Sequence, residues 1–176
     1  PFFYTVKTSF SSLENFSKDY LSNFILQSLA FILKDSSLVN TGMYSLEDLR
    51  DIANKSEETW AADIIGNYFH VRESGDPIKL FLFAISVPYQ CYMKTGMPVA
   101  VIIDDFHKIR KLSERMTGNN DKDLWMLFEN SIKFRYTPHV LAGFQSELHK
   151  MFFEETSFGE HLEIINLAEL NKHDSI

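Results

Sequence analysis

The chain has 176 residues, 45% hydrophobic and 23% charged, a globular balance with room for one sizeable core. Seventeen Lys and Arg against 24 Asp and Glu leave a net charge of −7, which argues against non-specific adhesion to nucleic acid. A lone cysteine, Cys91, excludes an internal disulfide and fits a reducing cytoplasmic setting; no signal peptide and no apolar run of about 18 residues is present. Sixteen Phe point to a well-filled core, or to apolar surface covered by another domain or subunit.

Taken in order, Phe2 to Thr8 reads as a strand, rich in aromatic and β-branched residues. Ser12 is placed to cap a long helix, with Asn15 at the third helical position. Phe16, Tyr20, Phe24, Leu26 or Gln27, and Phe31 then form a helical stripe that ends near Leu33. Asp35 to Tyr44 is a polar loop. Ser45 restarts a helix, and Ser56-Glu57-Glu58-Thr59 is a further N-cap signal before Trp60, Ile64, Ile65, Tyr68 and Phe69. Asp76-Pro77 opens an apolar helix from Leu80 to Tyr92, expected to kink at Pro88.

The central stretch is Pro98-Val99-Ala100-Val101-Ile102-Ile103-Asp104-Asp105. An apolar run without alternation predicts a strand buried on both faces. Its end on two carboxylates has two readings. They are solvated turn residues or a helix cap, or they hold a hard cation and act on water at the carboxyl end of a strand. Lys108, Arg110, Lys111 and Arg115 follow as a small basic cluster, read as a solvated face or as a phosphate or partner contact. Asp121 can cap a helix from Lys122 to about Phe134. Pro138 to Gly143 is a second apolar strand, a helix runs through Leu148 and Met151, and Leu162 to Leu167 is a third.

Strands alternating with helices predict an α/β domain: a three-layer parallel sheet with helices on both faces, a single domain over residues 1–176 with a helical insertion at about 35–95. The six histidines show no ligand spacing, Cys91 reads as a buried small hydrophobe, and no Gly-x-Ser-x-Gly elbow occurs.

Four apolar residues followed by Asp104-Asp105, then a helix, then a strand like His139–Ala142 ending in Gly143 and polar residues, resembles the P-loop ATPases of the AAA+ and STAND type common in archaea and bacteria. The resemblance runs from Phe2 to about Leu170. It implies that Asp104 holds Mg²⁺, that Asp105 polarises the attacking water in place of the usual Glu, and that Gln145 or Ser146 senses the γ-phosphate of ATP. It implies a switch protein working with other domains or subunits, reaching nucleic acid only through domains absent from this chain, with no membrane partner. Phe144 stands where Ser is usual, and Glu160 of Ser157-Phe158-Gly159-Glu160 replaces the family's Arg, so no arginine finger carries over.

One departure is severe. Gly-x-x-x-x-Gly-Lys followed by Ser or Thr does not occur, so there is no loop of backbone N–H groups to cradle phosphates. The expectation is a core that is N-terminally incomplete, with its phosphate-binding segment upstream of Pro1. The alternative is a non-catalytic α/β interaction module, a degenerate ATPase that never had the loop. A receiver-like phosphoacceptor domain is a weaker third reading, because the later Asp and Lys at strand ends are missing.

Overall fold

A computed structural model describes residues 1–7, 9–40, 44–109 and 122–144, together with residues 146, 148, 163 and 165. Helix formation begins where the caps predict. Ser12 Oγ accepts from the Asn15 N–H at 3.2 Å and starts α1 (Leu13–Ile32). After a short α2 (Ser37–Asn40), Ser45 and Asp48 form a reciprocal capping box at the start of α3 (Leu46–Lys55). Asp76 Oδ1 accepts from the N–H groups of Ile78 and Lys79, and Pro77 occupies the first position of α5 (Pro77–Thr95). That helix ends on Gly96 in the left-handed region at φ 73°, where a side chain would be strained. It continues through the buried Pro88, whose missing N–H leaves the Ala84 carbonyl without its helical donor.

The expected cap at Ser56 is corrected. Ser56 instead closes α3, its Oγ donating to the Ile52 carbonyl at 2.8 Å. The next helix, α4 (Thr59–Glu73), begins after Glu58, which makes no capping hydrogen bond and accepts from Trp60 Nε1 at 2.8 Å.

Three strands, β1 (Phe2–Thr5), β2 (Val101–Asp104) and β3 (His139–Leu141), form a parallel sheet in that order. Between the last two lies α6 (Lys122–Ile132). Phe3 pairs with Ile102 and Thr5 with Asp104; Ile102 pairs with Val140.

The predicted three-layer parallel sheet is overturned. The protein is mostly helical, and its sheet is small, with strands of three or four residues. The apolar residues explain why. Most lie on helical stripes that pack against one another: α5 rests on α1, α4 and α6, and α3 rests on α4. One sheet face joins this core through Phe2, Tyr4, Val101 and Ile103, all nearly inaccessible. On the other face Phe3 and Val140 are 58% and 54% exposed, so β2 is not buried on both faces as its composition predicts.

Beneath the covered face, Phe2, Tyr4, Phe16, Tyr20 and Phe24 meet largely edge to face, with centroids 5.1 to 5.7 Å apart in those pairs. Phe81 extends this cluster to Phe128, and Phe128 to Phe106. Such pairs add about 0.5–1.5 kcal/mol each beyond the area they bury. The stripe fails only at Phe31, 73% exposed, because the last turn of α1 runs past the strand it covers. On α6, Phe128 and Ile132 are buried, whereas Leu127 is 41% exposed. Cys91 is buried on α5, and desolvation pushes its thiol up to about 11.

The expected Asp121 cap, the Arg110–Arg115 cluster, the helix through Met151, the Ser157–Glu160 turn and all of the Leu162–Leu167 strand but Glu163 and Ile165, neither of them in a strand, lie outside the described residues. Among the described residues, no helix is long and apolar enough to cross a membrane.

Candidate functional site

The acidic pair sits at the carboxyl end of the middle strand. Asp104 is the last residue of β2, in register with Thr5, and its carbonyl accepts from Val6 N–H at 3.0 Å. The period-2 alternation that buries Val101 and Ile103 turns Asp104 outward, exposed to solvent. One carboxylate oxygen, Oδ1, accepts from the Asp105 N–H at 2.8 Å. No described protein group bonds the other.

Asp105 follows in the left-handed region at φ 56°, a conformation that Asp tolerates better than most side chains. This reversal opens a helical turn, in which Lys108 N–H donates to the Asp105 carbonyl at 2.9 Å and Ile109 N–H to the Phe106 carbonyl at 3.0 Å. Lys108 Nζ thereby reaches Asp105 Oδ2 in a short ion pair. Both side chains are about three-quarters buried, so solvent screens this pair less than a fully exposed one.

The end of β3 is bonded alongside. Ala142 N–H donates to the Ile103 carbonyl at 2.8 Å, and Phe106 N–H donates back to Ala142 at 2.9 Å. Buried Phe106 anchors that turn from below. His107 fills the space between the two strand ends and is only 6% exposed. It packs against the Phe144 ring at 5.2 Å, and its Nδ1 has no hydrogen-bond partner among the described residues. Gly143 makes this fit possible, since a Cβ there would lie 2.8 Å from His107 Nδ1.

The structure thus brings Asp104 and Asp105 together and places the β3 exit next to them. Ser146 follows this exit and is exposed. Gln145 lies outside the described residues. His107, Gly143 and the Lys108 partner of Asp105 carry no motif. Only the spacing of three between Asp105 and Lys108 on a helical turn signalled the pair.

Asp104 suits a hard cation. It is exposed and has an oxygen that no described group bonds, and Mg²⁺ characteristically takes one or two carboxylates plus waters and phosphates. It is a partial site by itself: no group of three His, Cys, Asp or Glu side chains able to hold a metal ion occurs among the described residues. Farther off, an open apolar groove lined by Phe31, Ile32, Lys34 and Val39 lies at the last turn of α1, at the other end of the sheet.

At the start of β3, burial holds His139 down to about 4, and its Nδ1 lies 2.7 Å from the Thr137 carbonyl, which fixes the proton on that nitrogen. No protein family, curated protein or solved structure matches this chain.

Proposed function

We propose that this chain is part of an ATP-binding, ATP-hydrolysing switch protein, in which Asp104 holds Mg²⁺ and Asp105 orients the attacking water. The observation that carries the reading is the placement of the acidic pair at the carboxyl end of the middle strand of a parallel sheet. The exit of β3 is bonded beside it through Phe106 and Ala142. The proposal rests on this strand end and not on a three-layer architecture.

The phosphate-binding loop would come from a segment outside these residues, because the sequence contains no Gly-x-x-x-x-Gly-Lys. Room for it exists at β3. Pro138 and Ala142 bond toward β2, so the N–H and C=O groups of the alternate residues His139 and Leu141 point away from it. Among the described residues these outward groups have no partner, and a further strand can add there. Ser146, beyond Gly143, and Gln145 remain the γ-phosphate contacts in this reading.

The test is hydrolysis by a polypeptide that joins this chain to a phosphate-binding loop. Asp104→Ala should reduce Mg²⁺-dependent turnover to background with the fold intact by circular dichroism. Turnover that survives the change sinks the assignment. Asp105→Glu, one methylene longer, should raise turnover.

A second reading, a non-catalytic interaction module, has one observation in its favour: Lys108 already neutralises Asp105. In that reading no supplied loop restores hydrolysis.

A further inference from the structure

Asp105 is the residue assigned to water, yet it is the carboxylate engaged by a cation. Asp104, one residue earlier, is left open. The backbone makes this arrangement specific. Asp105 occupies a left-handed conformation that costs free energy in any non-glycine residue, and it is bonded to Lys108 twice, through backbone and side chain. His107 also packs at these strand ends, 94% buried, and its Nδ1, against Gly143, is unpartnered among the described residues. A buried nitrogen left without a partner is a position where a ligand, a water or a shift of the β3 exit would be favourable.

We infer that Lys108 is a built-in counter-ion for this site, which holds Asp105 out of use until a divalent cation or a phosphate group competes for the pair. The inference rests on the proposed Mg²⁺ role of Asp104. Among the described residues the charge here is two carboxylates against one ammonium, a net single negative charge for a divalent ion to meet. An arriving cation at Asp104 repels the Lys108 ammonium, and a phosphate attracts it. In both cases the ammonium leaves Asp105 and its carboxylate becomes free to accept a hydrogen bond from water. Without this exchange Asp105 has its partner already. The resting site thereby binds metal more weakly than its two carboxylates would without Lys108.

The test uses the chain itself and Mn²⁺ as the probe metal, with binding followed by electron paramagnetic resonance. Lys108→Met removes the competing charge and should tighten Mn²⁺ binding on the order of tenfold. Lys108→Arg keeps the charge and should bind Mn²⁺ as the unmodified chain does. Asp104→Asn should abolish binding.

The arms separate the two ideas. If Lys108→Met binds no more tightly than the unmodified chain, the counter-ion role is overturned, whatever Asp104→Asn does. If Lys108→Met binds more tightly but Asp104→Asn has no effect, the counter-ion role stands and the metal assignment of Asp104 falls. If no variant binds Mn²⁺, both are overturned.

Discussion

The two outer strands of this sheet treat their free edges in opposite ways. At β1, the side chain of Gln27 reaches from α1 and takes both outward groups of Phe3. Its Oε1 accepts from the Phe3 N–H at 3.3 Å, and its Nε2 donates to the Phe3 carbonyl at 3.0 Å. One amide side chain thus substitutes for a residue of a neighbouring strand, and the edge is closed to further pairing there. At β3, the outward groups of His139 and Leu141 meet nothing among the described residues. Beneath β1 lies an aromatic cluster built from α1, whereas β3 carries the exposed Val140 and the uncovered exit at Gly143 and Phe144. The lesson is that, among the described residues, the β1 edge of the sheet is closed by a side chain while the β3 edge has no partner.

This contrast can be broken from either side, and the largest effect is expected under β1. Phe24→Ala removes a fully buried ring from the cluster and should cost about 3–5 kcal/mol in urea unfolding. A loss below about 1 kcal/mol would mean that β1 does not depend on α1. The next effect belongs to β3. His139 binds its proton at about 4 in the folded chain against 6.5 in the unfolded one. Between those values the unfolded state binds more protons, so stability is fully present above pH 6.5 and falls as pH drops toward 4. The full loss is at most about 3 kcal/mol. Thermal melts across that range should lose this part of their slope in His139→Leu, and an unchanged slope rules out His139 as its source.

A smaller change tests the closed edge directly. Gln27→Met preserves the length of the side chain but removes both bonds to Phe3, for a cost of about 1 kcal/mol. The variant should also associate with rising concentration in analytical ultracentrifugation, because β1 then offers an unpaired edge. A monomer at all concentrations would show that the Gln27 cap is dispensable. The smallest effect is expected on the open face: Val140→Thr, at a half-exposed position, should change stability by no more than about 0.5 kcal/mol. A larger loss would mean that this face is covered.

Local signals in the sequence were legible because each depends on a few neighbouring atoms. Ser12 and Ser45 cap the helices that their positions predict, and Pro77 stands at the start of α5 as expected. The β2 strand and its acidic end are also where the apolar run puts them. The layer count was misread because Val101–Ile103 looks the same whether one face is covered or two. The neighbours decide burial, and the nearest helices pack mainly on one another. Ser56 was misread for a related reason: a hydroxyl before Glu signals a helix start, but here it bonds back to Ile52 and ends the preceding helix. In the site, Asp104 and Asp105 were visible from their order. The roles of Gly143 and His107 depend on a contact between strand ends more than 30 residues apart, which no local pattern encodes. Gln27 was equally hidden, since on a helix it reads as an ordinary half-polar position.

Cys91 has a use unrelated to any of these roles. It is the only thiol in the chain, sits without exposure on the helix that touches α1, α4 and α6, and is held protonated by its surroundings. An alkylating reagent can reach it only when α5 separates from its neighbours. The rate of thiol labelling is therefore a clock for the opening of the whole core, readable without adding a probe. It would register, in one number, whether an added strand, a bound cation or a partner makes that opening rarer.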